Sequence, residues 1–439
     1  MATKISTELL IMILNNVQSI QDLHSSLLVN RIWCKVTIPI LWELPLGQEC
    51  CTDNKKLRKK ALCIRTYISC MDAQARTLLI QNGFYLSLSP PRVTFDYPSF
   101  THKLRTDNLV YFISIYSPQI SPLQITGPGR YNNNNEISIT KSRILFHEIC
   151  KLIINRCSFL EYFKLAKVPG EFRNSDLIGS ILKLPSAPEV FRKLESLTLK
   201  IRDELIYSLY KSLKLICENI LNMDLEFNSH DQLLPEFISV QKRLENLSIT
   251  SSYFLNCNSL LWAIISQRET LKILRLKFLN FCHFWGKLSP IGEFISLQEL
   301  YIDDCCEFNL DCQLLASSFT RLNRFHFRNK YGTPQEFIIK ILETANINLK
   351  NIYLDLYPTI TSDTFSAILN YCTKVTKLTL YNLSFEQVIA IFNNNFNELR
   401  VFSFDCIEEG FDANKLLCQM DEKILEILKM ERGYLVLIV

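Results

Sequence analysis

The residue types that do chemistry are present in this chain but dispersed. His147-Glu148-Ile149-Cys150 begins like a helical zinc motif, in which two histidines one turn apart hold the metal and the glutamate acts as base, but position 151 is lysine, not the second histidine. Cys282-His283 has no companion pair, and the other histidines, at 24, 102, 230 and 326, are scattered. No G-x-S-x-G turn, which would expose a nucleophilic serine, and no G-x-x-x-x-G-K-[ST] loop, which would cradle phosphates, occurs. The 16 cysteines form no C-x-x-C pair, and the adjacent Cys50-Cys51 and Cys305-Cys306 are poorly placed to bond each other. The expectation is a chain that is not an enzyme and holds no metal or cofactor.

Composition points the same way. Only 11 of 439 residues are glycine, well below the ~7% of an average protein, which disfavours dinucleotide and phosphate loops. A net charge of +4 is too small to suggest a nucleic-acid partner, and no apolar run approaches the ~18 residues that span a bilayer. Leu9–Leu14 is short for a signal-peptide core, follows Glu8 and precedes no small-residue cleavage site. The cysteines therefore read as buried thiols of a reducing compartment, cytoplasmic, nuclear or both. Lys55, Lys56, Arg58, Lys59 and Lys60 read as a solvated helix face, and Asn132–Asn135, after Gly127-Pro128-Gly129, as a loop.

What positions the polar residues is a repeat. An apolar residue followed by others at +3 and +5 starts at Leu194, Ile220, Leu244, Leu271, Leu297, Leu322, Leu349, Val375 and Leu399, in steps of 24 to 27 residues. Looser copies start at Ile120 and Leu160. Alternation predicts a short strand with one buried face at each start. Helical spacing at Leu260–Ile265, Phe337–Leu342, Phe365–Leu369 and Val388–Phe392 supplies the crossovers that parallel strands need. A step near 26 falls in the range of leucine-rich repeats, in which units stack because none buries its apolar face alone. Asn or Cys is expected at +8 to close the turn; Asn228 and Cys305 stand there, and Asn280, Asn329, Asn382 and Cys406 are one residue off.

If +3 and +5 point inward, +2, +4 and +6 point outward. This exposes Arg275 and Lys277; Glu299, Tyr301 and Asp303; Arg324, His326 and Arg328; Tyr353 and Asp355; and Lys377 and Tyr381. Tyr301, Tyr353 and Tyr381 can form an aromatic ladder, and the mixed charges suit a protein partner better than a polyanion, which needs a continuous basic stripe.

The N-terminus reads as three helices. Ser6 can cap the first, Ser19 with Asp22 the second, and Arg31–Val36 with Trp33 makes a third that Pro39 ends. Ile5-Ser6-Thr7-Glu8-Leu9-Leu10, Ile13-Leu14, Asp22-Leu23, Leu28-Val29-Asn30-Arg31-Ile32-Trp33 and Leu41-Trp42 together resemble an F-box across about forty residues. Ser6 stands where that family usually has proline, a substitution that helix capping accommodates.

The resemblance, with the repeats behind it, implies an F-box protein with C-terminal leucine-rich repeats, similar to fungal members of that family. The expected fold is α/β: a helical F-box over residues 1–44, a mainly helical linker over 45–115, and a solenoid over 116–439 with a curved parallel sheet on the concave side and helices on the convex side. Such proteins dock a Skp-type adaptor and, through it, a cullin-RING ligase, and present a protein substrate for ubiquitination and proteasomal degradation. Adaptor contacts would come from Leu9, Leu10, Ile13, Leu14, Leu23, Val29, Trp33 and Trp42, some of which must instead form the core of so small a unit. The substrate would bind the outward strand residues, with neither nucleic acid nor membrane involved. The competing expectation is a leucine-rich-repeat scaffold with no ligase role, whose N-terminal helices cap the array.

Overall fold

The computed structural model describes residues 5–47, 54–87, 92–120, 134–166, 179–200, 206–227, 233–256, 258–281, 294–307, 321–332, 334–393, 396, 398–406, 428–431 and 434–438. The backbone groups into two compact units, residues 1–220 and 221–439.

The first unit opens with α1 (Thr7–Asn15), α2 (Ile20–Ser26) and α3 (Arg31–Trp42). Each starts where a short polar side chain accepts an otherwise unpaired amide. Ser6 Oγ takes the Leu9 N–H and Ser19 Oγ the Asp22 N–H, both at 3.3 Å, and Asn30 Oδ1 takes those of Ile32 and Trp33 at 2.9 and 3.1 Å. Leu10, Leu14, Leu23 and Val36 form the core, with Val17, Trp33, Ile40 and Leu41 packed against it. The expected stop at Pro39 does not occur: α3 runs through it to Trp42. An interior proline costs about 3 kcal/mol for its lost hydrogen bond and ring clash. Burial of Val36, Thr37 and Ile38 just before it offsets that cost.

Beyond these lie α4 (Asn54–Cys70), α5 (Ala73–Gln81), a 3-10 turn (Tyr97–Phe100), β1 (Lys103–Arg105), α6 (Thr106–Ile120), α7 (Asn134–Arg156), β2 (Tyr162–Ala166), α8 (Ala187–Phe191), β3 (Ser196–Lys200) and α9 (Ile206–Ile216). Strands β1, β2 and β3 are parallel, aligning Leu104, Phe163 and Leu197. The loose copy at Ile120 is not the strand before β2. Ile120 closes α6, and Leu123 and Ile125 fall outside the described residues. That strand is β1, whose three residues bury a single Leu104 and so leave no repeat signature. Of the asparagine run, Asn134 and Asn135 open α7 rather than lie in a loop, and the remainder is outside the described residues, as are the side chains of the basic run at 55–60.

The second unit carries β4 (Asn222–Phe227), β5 (Asn246–Asn256), β6 (Ile273–Asn280), β7 (Glu299–Asp303), β8 (Arg324–Asn329), β9 (Asn351–Leu356), β10 (Lys377–Leu383) and β11 (Val401–Cys406), successive strands pairing in parallel. Each begins two residues after a predicted start, as β3 does in the first unit. Between them lie α10 (Leu233–Ser239), α11 (Asn258–Ile265), α12 (Gln335–Ala345), α13 (Ser362–Tyr371) and α14 (Phe385–Asn393). The +3 and +5 residues are buried throughout, Leu300 at 1% exposure among them.

A repeated hydrogen bond sets the stagger. The N–H groups of Gln298 and Glu299 converge on Lys272 O, those of Asn323 and Arg324 on Gln298 O, and those of Lys350 and Asn351 on Asn323 O. The strand exits are tied as well: Asn382 Nδ2 donates to Leu356 O at 2.9 Å, and Cys305 Sγ lies 3.6 Å from Leu276 O. The array does not end as a parallel edge. β13 (Tyr434–Ile438) pairs antiparallel with β11 and with β12 (Leu428–Glu431). This covers the exposed edge of β11, where unpaired backbone groups would invite association.

Candidate interaction surface on the sheet

Parallel register turns the outward residues into rows across the strands. One row runs Ile273, Glu299, Arg324, Asn351 and Lys377; the next runs Arg275, Tyr301, His326, Tyr353 and Thr379; the third runs Lys277, Asp303, Arg328 and Asp355. The structure brings all but the ends of the predicted set together over β6–β10. These side chains are half-buried by one another, except Lys377, which is exposed, and Thr379, which is buried.

Glu299 is the hub of the first cluster. Its carboxylate accepts from Tyr301 Oη at 2.8 Å and from Arg324 at 3.2 Å, and lies 3.5 Å from Arg275. Arg324 also donates to Tyr301 Oη at 3.0 Å, and the Arg275 guanidinium sits 4.5 Å from the Tyr301 ring centroid. Exposed pairs contribute little singly, but linking them removes the freedom of several long side chains together. The Tyr301 hydrogen bond, with Glu299 assisting, raises the Arg324 pKa further.

The aromatic ladder is present with a rung the tyrosine spacing did not include. His326 lies between Tyr301, at 5.6 Å, and Tyr353, on which it stacks at 4.1 Å and 12°; Tyr353 in turn meets Tyr381 at 5.4 Å. Burial and the Tyr381 hydroxyl raise the Tyr353 pKa, so the Tyr353 phenol stays protonated.

In the third row, burial alone would push the Asp303 carboxyl up. The His326 hydrogen bond (2.9 Å) and the charges of His326, Arg328 and Lys277 outweigh it and hold the pKa below the usual range. Arg328 is shared between Asp303, 3.4 Å away, and Asp304 Oδ2, at 3.3 Å. Asp304 belongs to this surface although its place in the sequence reads as a strand end. A left-handed backbone (φ 48°) there lets its carboxylate meet Arg328. Its Oδ1 is buried without a hydrogen-bond partner. The doublet Asp303-Asp304 just before the turn position was the available signal.

The second predicted set divides. Leu9, Ile13 and Val29 are exposed on α1 and in the α2–α3 connection, whereas Leu10, Leu14 and Leu23 form the core. Trp33 packs against that core, and Trp42 packs edge-on to Tyr67 at 5.5 Å and against Tyr97 at 4.5 Å. Five of the eight, Leu10, Leu14, Leu23, Trp33 and Trp42, are thus occupied by intramolecular packing.

His147 is engaged by Glu148 at 3.1 Å and by Ser180 at 3.0 Å. Among the described residues no group of three His, Cys, Asp or Glu is placed to hold a metal ion. Burial pushes the thiols of Cys157, Cys217 and Cys372 up to about 12, so they are protonated and poor nucleophiles. No described helix is long and apolar enough to cross a membrane. Compared with protein-family models and with curated proteins, the chain matches none.

Proposed function

We propose that this chain is a substrate-recognition subunit of a Skp-cullin-F-box ubiquitin ligase, with α1–α3 docking the Skp-type adaptor and the outer face of β6–β10 receiving the protein to be ubiquitinated. The observation that carries the reading is the placement of exposed apolar side chains. Among the described residues, nine of the twenty large hydrophobics left exposed fall within residues 5–32, including Leu9, Met12, Ile13, Val29 and Ile32, with Leu28 at 88% exposure. Apolar residues scattered singly need no explanation, but such a concentration on three short helices marks an interaction site. It is also the segment whose residue pattern resembles an F-box.

The scaffold reading has one observation in its favour: Trp42 is spent on Tyr67 and Tyr97, tying α3 to α4 and the 3-10 turn. The two readings separate in reconstitution. The full-length chain is mixed with purified Skp-type adaptor and a cullin and analysed by size exclusion. The ligase reading expects one co-eluting complex that depends on the adaptor, and the scaffold reading expects the folded chain to elute alone.

A further inference from the structure

On the outer face of the sheet, one tyrosine–carboxylate cluster is complete and another lacks a cation. At Tyr301 the chain supplies every part: the ring, the Glu299 carboxylate, Arg275 over the ring and Arg324 on both oxygens. Two strands further on, tyrosine and carboxylate recur as Tyr353, Tyr381 and Asp355. Arg328 is the register partner of Asp355, yet it turns to the opposite strand, to Asp303 and Asp304. Among the described residues Asp355 makes no hydrogen bond and no ion pair within 4 Å, and no cation lies over the Tyr353 ring. Asp303 and Asp304 therefore share the one bound guanidinium, with Asp304 Oδ1 buried and without a hydrogen-bond partner, and Asp355 is left out of the pairing. Lys277 and Lys330 act on this group from a distance only. Burial, with repulsion from Asp304, pushes the Asp355 carboxyl up although Arg328, Lys330 and His326 pull it down from a distance, consistent with an unfilled cationic position.

We propose that this corner of the sheet binds a basic segment of a partner protein, seating a lysine or arginine against Asp355 beside the paired rings of Tyr353 and Tyr381. The exposed Tyr331 and Tyr357, two residues and one residue past the ends of β8 and β9, add aromatic residues at the same strand ends. A cation placed there gains an ion pair in a half-buried setting and an aromatic contact. The proposal rests on the reading of this face as the target-binding surface and specifies what the target presents. The chain carries net charge +4, so general attraction does not favour basic peptides.

The test uses the full-length chain against displayed twelve-residue random peptides, followed by titration of the selected peptide and of its lysine-acetylated or arginine-to-glutamine form. The parent should enrich lysine and arginine. Asp355→Asn, folded by circular dichroism, should weaken the selected peptide at least fivefold, as should neutralising the peptide's cation, and Asp355→Lys should abolish binding. Peptides that lose binding in Tyr301→Ala with Arg324→Ala but show no basic preference would overturn this inference while leaving the target face in place. Peptides indifferent to both sets of substitutions would overturn both. Self-association abolished by Asp355→Asn would assign the corner to a second copy of the chain and overturn the proposal.

Discussion

His326 stacks flat on Tyr353, with ring centroids 4.1 Å apart, while its Nε2 lies 2.9 Å from Asp303 Oδ1. One imidazole thus joins the aromatic ladder to the acidic row and fixes β7, β8 and β9 relative to one another on their outer side. Because the folded chain holds Asp303 below its unfolded value of about 3.9, the stabilisation is present above that value and is lost as pH falls through the lower folded pKa. Asp303→Asn should cost about 1–3 kcal/mol at neutral pH. In urea titrations the gap between parent and variant should narrow as the pH is lowered from 7 to 3.

Asp355 should behave in the opposite way. Its folded pKa is raised, so its contribution to stability declines as pH rises from the unfolded value through the folded one. Asp355→Asn should leave the thermal midpoint at pH 7 unchanged or slightly higher. A clear fall would mean that the carboxylate has a stabilising partner after all.

Leu300 tests the inner face. It is 1% exposed, and Leu300→Ala should cost about 2–5 kcal/mol in a denaturant titration. Because repeats depend mainly on their neighbours, the loss should broaden the transition as well as shift it. A cost below about 0.5 kcal/mol would place the residue outside the core.

Tyr301→Ala combined with Arg324→Ala removes two of the partners that hold Glu299 in place. In cells, proximity labelling with this variant should lose a defined group of partners while retaining the adaptor. An unchanged partner set would move target binding off this face.

Periodicity made the strands legible. Inward residues at +3 and +5 are dictated by burial alone, so Leu297, Leu300 and Ile302 announce β7 without any knowledge of its neighbours. Elements without that signature were not visible. β1 buries one residue, Leu104, and β12 with β13 closes the array antiparallel, a choice that depends on the edge left by β11 rather than on any local pattern. Pro39 misled because its local cost is overridden by the burial of Val36, Thr37 and Ile38. The outward rows followed from the register, but the pairings within them did not. His326 as a rung, and Arg328 turning from Asp355 to Asp304, depend on side-chain reach and on the left-handed turn at Asp304. In α1 the spacing located the helix yet could not separate Leu9 from Leu10, since one faces out and the other is core only once α3 is packed.

The most direct test of the account is the affinity of the full-length chain for a purified Skp-type adaptor, measured by calorimetry with surface and core variants kept apart. Met12 and Ile13 are exposed on α1, so Met12→Asp with Ile13→Asp should preserve the fold, whereas Leu10, at 2% exposure, is a core position whose replacement would only unfold the helices. The account predicts micromolar or tighter binding by the parent, lost in the Met12→Asp, Ile13→Asp variant while its circular dichroism matches the parent's. No heat of binding from the folded parent, or equal affinity in the two proteins, would contradict it.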